Sequence, residues 1–423
     1  MSESSSLRGF GNAFSSSARD GALPPQNSPQ RVPFGLFAEQ LSGTAFTAPR
    51  HENRRTWMYR LRPSAAHPAY REVTNRTPGW KTGPFELPPA ANRLRWDPLA
   101  PPEGRVDFLG GVHTLAGNGS PEAAAGIAMH RYSFNASMRD EAFFNADADQ
   151  VFVPQTGTLE IVTELGRFDV PPGFIGHVPR GMRMRIDVGG PVAGYLCENY
   201  GAAFVLPELG PIGANGLANP HDFESPSAAY TADAAPTRLV QKLGGHFYAT
   251  DLPRSPFDVV AWRGNLVPYR YDLSRFNTIN TVSFDHPDPS IFTVLTSPGP
   301  RPGTANCDFV IFPPRWMVAE HTFRPPWFHR NVMSELMGLI HGTYDAKASG
   351  FSPGSASLHN SMSAHGPDRA TYEAAIEEPM EPRKIDGTLA FMFETCRPFR
   401  PAAGAVSCPT LQPDYDAVWS GFE

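Results

Sequence analysis

Residues 157–188, GTLEIVTELGRFDVPPGFIGHVPRGMRMRIDV, carry the pattern that decides the fold. In two segments of this stretch, every second residue is of a type that can face a protein core. These positions are Leu159, Ile161 and Thr163, then Met182, Met184, Ile186 and Val188. A period of two is typical of a β-strand with one buried face. Two Pro-Gly turns separate the segments, at residues 171–173 and 179–181, so the stretch predicts short strands joined by tight turns.

The same succession of short strands returns later in the chain, at residues 277–284, 292–297 and 308–314. Strand, glycine turn and strand in this rhythm are typical of a cupin-like double sheet. We therefore expect a mainly β protein, a cupin-like (jelly-roll) β-sandwich or barrel with two strand-rich halves and few short helices. The expected division is an N-terminal β-rich domain with cupin-like strands over residues 1–275 and a C-terminal β-sandwich domain over residues 276–423.

Proline and charge narrow the structural and functional classes further. The chain of 423 residues contains 45 prolines and 38 glycines, and proline breaks helices, so long helices are not expected. One helix is predicted in TYEAAIEE, with Thr371 as its N-cap. The formal net charge is −6 and the basic residues form no concentrated stripe, which argues against nucleic acid as a partner.

The cysteines and the N-terminus predict where the protein works. The four cysteines, Cys197, Cys307, Cys396 and Cys408, form no CxxC pair, which suits a reducing compartment. The first residues, MSESSSLRGFGNAF, lack the pattern of a signal peptide, and no apolar stretch approaches the length of a membrane span. We expect a cytoplasmic protein with no membrane partner.

A cluster of histidines is the strongest functional signal in the residues themselves. Five of the 13 histidines lie between residues 321 and 365, at His321, His329, His341, His359 and His365. Two histidines and one carboxylate on one triangular face bind Fe(II) in oxygen-using enzymes. A single histidine is more often structural, but such a cluster favours a metal site.

His329 and Glu335 are the first candidates for metal ligands, and their spacing of six constrains the backbone. On one helix they would point about 120° apart, and on one straight strand they would lie roughly 20 Å apart. The chain must therefore bend between them if both bind one metal, for example with Glu335 beginning a new strand. Spacing leaves open whether His359 or His365 is the third ligand, and whether the metal is iron, zinc or manganese.

Long collinear segments carry a resemblance to a known family. Residues 282–368, from VSFDHPDPS to SAHGPD, resemble homogentisate 1,2-dioxygenases along their whole length. GFGN at 9–12, QNSPQ at 26–30, GLFAEQLSGTAFTAPR at 35–50 and DGTLAFMFET at 386–395 are similar to the same family. The sequence departs from the family's usual pattern at Ala13, at Trp327-Phe328 and at His341.

This resemblance implies a set of site residues. His329, Glu335 and His365 would hold Fe(II), and His286 would be the catalytic acid/base histidine. Tyr344 and His359 would border the substrate, together with the ligand His365.

The resemblance also implies a reaction and an assembly. Homogentisate and O2 would give maleylacetoacetate, a step of tyrosine and phenylalanine catabolism, in a homo-hexamer built from two trimers. Two alternatives remain at this point. One is a related cupin dioxygenase acting on another hydroquinone acid such as gentisate, and the other is a non-catalytic cupin-like binding protein.

Overall fold

The computed structural model describes residues 6–74, 76–208, 216–232, 235–279, 292–316, 327–347 and 349–422. Strands are numbered here in chain order, and nearly all neighbouring strands are antiparallel; β9 and β18 are a parallel pair. The largest sheet has nine strands, in the order β1 (Leu7–Arg8), β17 (Phe223–Ser225), β21 (Tyr269–Asp272), β13 (Phe174–Val178), β10 (Asp149–Thr156), β15 (Val192–Asn199), β8 (Ile127–Phe134), β7 (Val112–Gly117) and β30 (Arg400–Pro401).

Two further sheets belong to the N-terminal part of the chain. A seven-stranded sheet has the order β12 (Gly166–Val170), β11 (Leu159–Thr163), β14 (Met184–Asp187), β9 (Glu141–Asn145), β18 (Thr237–Leu243), β19 (His246–Leu252) and β5 (Arg71–Glu72). A four-stranded sheet has the order β2 (Phe14–Ser17), β20 (Val259–Gly264), β4 (Arg55–Arg60) and β3 (Phe37–Ser42).

The C-terminal part builds a six-stranded sheet that positions the candidate site. Its order is β23 (Phe292–Ser297), β24 (Cys307–Phe312), β29 (Leu389–Thr395), β26 (Ser334–His341), β27 (Ala356–His359) and β6 (Leu94–Trp96). Two small ribbons pair β16 (Gly216–Leu217) with β22 (Asn277–Thr278) and β25 (Arg315–Trp316) with β28 (Lys384–Ile385). In the described residues the α-helices are α1 (Arg369–Glu377) and α2 (Ala403–Val406).

The nine-stranded sheet is the central layer of the molecule. Along β10, Val151 and Val153 pack into a core shared with the six-stranded sheet, whereas Phe152 between them packs into a core shared with the seven-stranded sheet. A strand points successive side chains to opposite faces, so a strand between two cores is apolar on both. Gly338 of β26 allows the close contact between layers, because a Cβ there would lie 2.9 Å from the ring of Tyr195.

Short strands cross between the two predicted halves. β6 comes from the N-terminal part but pairs with β27, with Ala356 opposite Trp96. Conversely, β30 comes from the C-terminal part and pairs with β7 at the edge of the nine-stranded sheet. The two halves therefore interlock through their sheets as well as through a shared core.

The structure confirms the mainly β prediction and corrects its helix. The alternating segments form β11 and β14, as predicted. The predicted N-cap Thr371 is wrong: α1 begins at Arg369, and Asp368 is its N-cap, because the Asp368 carboxylate accepts the Thr371 backbone N–H at 2.8 Å. Among the described residues, no helix is both long and apolar enough to cross a bilayer.

Candidate metal centre

The candidate centre lies on the outer face of the six-stranded sheet. Along β26, Leu336 and Ile340 point into the shared core, so Glu335 and Met337 point to the opposite face. Glu335 is nonetheless only 6% exposed. Its cross-strand neighbours on this face are Glu394 of β29 and His359 of β27.

A backbone bridge brings the two histidine ligand candidates together. The His329 N–H donates to the His365 carbonyl at 2.9 Å, and the His365 N–H donates back at 3.1 Å. Their rings lie 4.2 Å apart between centroids. Between His329 and Glu335 the chain turns, held by the Asn331 side chain, which accepts the Met333 N–H. The predicted bend between the two candidates is thus present.

His329, Glu335 and His365 form the donor cluster. Each offers one ligand atom, and these atoms all lie within 4.8 Å of one another; it is the one such cluster found in the described part of the chain. His365 Nε2 already contacts the Glu335 carboxylate. Two neutral imidazoles and one carboxylate are a donor set suited to a divalent transition metal.

His359 contacts the same carboxylate but is engaged at both ring nitrogens. Its Nδ1 lies 2.9 Å from Glu335 Oε1 and its Nε2 lies 2.8 Å from the Tyr415 hydroxyl. Burial lowers the pKa of His359 to about 4, so the ring is neutral near pH 7. Of the two histidines that spacing left open, His365 joins the donor cluster, whereas His359 supports Glu335 from the side.

Comparison with known proteins decides the family. Residues 5–273 match the family model for the homogentisate 1,2-dioxygenase N-terminal region, and residues 274–423 match the one for the C-terminal region. The chain belongs to the homogentisate 1,2-dioxygenase family.

Named members of the family are similar over almost their whole length. The homogentisate 1,2-dioxygenase of Pseudomonas savastanoi pv. phaseolicola is 58% identical over 97% of this chain and 94% of that protein. The one from Pseudomonas syringae pv. tomato is 57% identical over 98% of this chain and 95% of that protein. Among solved structures, protein Ylba from E. coli covers 74% of this chain and 95% of its own, at 10% identity and a TM-score of 0.31.

At the candidate centre of this family member, the negative charge lies on Glu335. Burial alone would raise the pKa of Glu335, but hydrogen bonds from His359 and His365 outweigh it and hold that pKa well below its usual range. The neighbouring Glu394 behaves oppositely, since burial and then the charges of Glu335 and Asp308 raise its pKa to about 8. Glu335 is therefore the ionised carboxylate of the pair at neutral pH.

The substrate-contact candidates implied by the family resemblance have different placements. Tyr344 is half-buried beside the centre and packs edge-on against Phe312 and Phe351, with ring centroids 5.5 and 6.1 Å away. Burial raises the pKa of the Tyr344 hydroxyl well above its usual range, so the hydroxyl stays protonated. His286 lies outside the described residues.

The sequence patterns did not indicate two residues near the donor cluster, Lys347 and Tyr415. Lys347 is buried, donates to the Gly366 carbonyl at 2.8 Å and lies 4.2 Å from the Trp419 ring centroid. Burial, then the nearby Arg95 charge, lowers the pKa of Lys347 to about 7. Tyr415 contacts His359 as described. Neither of these residues lies in a motif with a known spacing, so no sequence signal could have found them.

Proposed function

We propose that this chain is an Fe(II)-dependent dioxygenase that converts homogentisate and O2 to maleylacetoacetate. The observation that carries the proposal is the donor cluster of His329, Glu335 and His365 in a chain of the homogentisate 1,2-dioxygenase family. The reaction places the enzyme in tyrosine and phenylalanine catabolism.

Iron fits the donor set better than a structural metal does. Two histidines and one carboxylate leave coordination positions open, as non-haem Fe(II) oxygenases require, whereas structural zinc sites are closed by four protein ligands. The ionised Glu335 offsets part of the charge of a divalent cation in a buried setting. Bound iron would supply the redox chemistry that allows O2 to react with an aromatic ring.

The remaining roles fall to side chains around this cluster. We assign the acid/base role to His286, which would remove or return the phenolic proton of homogentisate. Tyr344 keeps its proton and would donate a hydrogen bond to the substrate. His359 and His365, whose rings stack 4.3 Å apart, would form one wall of the substrate site. Because both nitrogens of His359 are engaged, it would meet the substrate through its ring.

The setting of the enzyme is part of the proposal. We propose a homo-hexamer of two trimers in the cytoplasm, with an N-terminal domain over residues 1–275 and a C-terminal domain over residues 276–423 that carries the iron. Four free cysteines support a reducing compartment. Light scattering of the purified protein would give the number of subunits directly.

Anaerobic loading with Fe(II) tests the function. Homogentisate and air are then added while oxygen uptake and the absorbance of the ring-opened product are followed. We expect one O2 consumed per homogentisate with Fe(II) and none with Zn(II). Cleavage of gentisate but not of homogentisate would keep the metal centre and reject the proposed substrate.

Two alanine variants distinguish a metal ligand from an acid/base residue. His365→Ala should lose both iron and turnover, since it removes one of three protein ligands. His286→Ala should keep most of its iron while turnover falls by about 100-fold or more, as expected for loss of a general acid/base. The measurements are iron content after desalting and the rate of oxygen uptake. Equal losses of iron in both variants would argue that His286 is a ligand.

A further inference from the structure

Tyr415 is a buried tyrosine near the C-terminal end of the described chain that contacts the candidate centre through one hydrogen bond. It begins the short 3-10 helix Tyr415–Trp419 and is only 3% exposed. Its hydroxyl lies 2.8 Å from His359 Nε2, and its ring is nearly parallel to that of His359 at 5.9 Å. Tyr415 is therefore connected to Glu335, the proposed metal ligand, through one intervening residue, His359.

The protons in this contact chain have one consistent arrangement. A carboxylate only accepts hydrogen bonds, so His359 must donate from Nδ1 to Glu335 Oε1. The neutral imidazole then has an acceptor at Nε2, and the Tyr415 hydroxyl is the donor that meets it. Burial raises the pKa of Tyr415 to about 12, which keeps this hydroxyl protonated. The hydroxyl of Tyr415 thereby stabilises the same tautomer of His359 that the Glu335 carboxylate requires.

The ring of Tyr415 is held in place by residues from the N-terminal half. The Arg95 guanidinium lies 3.8 Å from the centroid of the Tyr415 ring, and Arg95 belongs to β6, the strand that crosses into the six-stranded sheet. One turn further along the same 3-10 helix, the Trp419 ring lies 3.9 Å from the Arg93 guanidinium, and Asp416 forms an ion pair with Arg93 at 2.7 Å. These contacts fix where the hydroxyl points.

We propose that Tyr415 is a positioning residue of the metal centre, which acts through His359 to fix the tautomer and orientation that hold the Glu335 carboxylate for the metal. This inference rests on the proposed function, because it takes Glu335 to be a ligand. Without the hydroxyl, His359 Nε2 loses its hydrogen-bond donor, so this tautomer and the orientation of the ring are held less strongly. The hydrogen bond from His359 to the Glu335 carboxylate is then weaker.

Metal affinity is the readout that a merely structural tyrosine would not change. Removing a residue that orients a metal ligand typically costs 10–100-fold in affinity, and we expect about 10-fold for Tyr415→Phe. Affinity is measured anaerobically with Fe(II), and separately with Co(II), by competition with a chelator. Tyr59→Phe is the matched control: Tyr59 is also buried and its hydroxyl also makes one hydrogen bond, to the Asn27 carbonyl at 3.0 Å, far from the centre in β4.

A double variant tests whether Tyr415 acts through His359. His359→Phe keeps a ring but removes both nitrogens, so adding Tyr415→Phe to it should cause no further loss of affinity. Tyr59→Phe should bind both metals as the unaltered protein does. Unchanged affinity in Tyr415→Phe, or a loss that adds fully to that of His359→Phe, would overturn the proposal.

The same experiment separates this inference from the proposed function. Oxygen uptake with homogentisate is measured on the unaltered, iron-loaded protein. Absence of uptake there would reject the dioxygenase proposal, whereas the metal affinities of the variants judge the role of Tyr415 independently of turnover.

Discussion

Among the described residues, two buried histidine–glutamate pairs differ in their surroundings, and only one of them adjoins the candidate donor cluster. In the nine-stranded sheet, His130 Nε2 lies 3.2 Å from the Glu198 carboxylate. In the six-stranded sheet, His359 Nδ1 lies 2.9 Å from the Glu335 carboxylate. Both pairs have the same residue types and both are buried, so neither property explains why the second pair is the functional candidate.

The difference is in what neutralises the carboxylate. Glu198 contacts the ammonium of Lys242 at 2.9 Å, with both side chains 0% exposed, and Lys242 also contacts Asp147 at 3.1 Å. Asn145 and the Tyr200 hydroxyl occupy the remaining acceptor positions of Glu198. At Glu335 the neighbours are imidazoles, and the nearby Lys347 donates instead to the Gly366 carbonyl. Glu198 therefore belongs to an ion network with an internal lysine, whereas Glu335 has no lysine or arginine ion-pair partner among the described residues and would, in the proposed function, hold the metal.

The largest expected effect on stability follows from removing Lys242, the internal cation of the first pair. Lys242→Met leaves Glu198 and Asp147 buried without their counter-ion, and breaking a buried pair in this way costs about 3–5 kcal/mol. Chemical denaturation at pH 7 should show a midpoint well below that of the unaltered protein.

Lys347→Met is the matched control for this prediction. Lys347 is also a buried lysine, but its pKa is lowered to about 7 and its partner is a carbonyl. We expect its loss to cost about 1.5–3 kcal/mol, the range for one hydrogen bond to a charged group. Equal destabilisation by both substitutions would mean that the counter-charge is not what distinguishes the two pairs.

Metal-linked stability is the next largest effect and separates the pairs directly. Fe(II) at about 100 times its Kd should stabilise the unaltered protein by about 2.7 kcal/mol, because it binds the folded state. Glu335→Gln should abolish this gain, while Glu198→Gln should keep it, although the second variant starts from a lower stability. The measurement is anaerobic thermal denaturation with and without Fe(II). A metal-linked gain that disappears in Glu198→Gln alone would reverse the assignment of the two pairs.

Local pattern predicted the strands, and long-range pairing determined the site. Alternation at residues 159–163 and the turn residues after them predicted β11 because both depend on neighbours in sequence. The helix start was wrong by a few residues because Asp368 and Thr371 are both good caps, and composition does not choose between them. The spacing of His329 and Glu335 required a bend, which the structure contains.

The rest of the centre could not follow from spacing. His329 meets His365 through a bridge between distant segments, and Arg95 arrives on a strand from the other half of the chain. The resemblance to the family predicted His365 as a ligand, since it compares whole segments. It predicted no role for Tyr415 or Lys347, because their contacts depend on how the 3-10 helix Tyr415–Trp419 packs against β6.

The smallest expected effect concerns a third buried histidine, His177, which has a carboxylate nearby. His177 Nε2 is 4.0 Å from Asp149, neither ring nitrogen has a hydrogen-bond partner among the described residues, and the ring stacks on Tyr269 at 4.4 Å. Burial lowers the pKa of His177 to about 4, outweighing the opposite influence of Asp149. Between pH 6.5 and 4, His177 is therefore protonated in the unfolded chain but not in the folded one. The free energy of unfolding falls as the pH falls through this range.

His177→Phe should remove that loss while keeping the ring stacking. At pH 7.5 the variant and the unaltered protein should differ by less than about 1 kcal/mol, because a neutral histidine without hydrogen bonds contributes mainly its ring. At pH 5 the variant should be more stable by about 2 kcal/mol, since one unit of pKa shift is worth about 1.4 kcal/mol. Chemical denaturation of both proteins from pH 7.5 to 4.5 measures the difference. Parallel curves over this range would show that the folded protein protonates His177 as readily as the unfolded chain does, which would contradict the prediction.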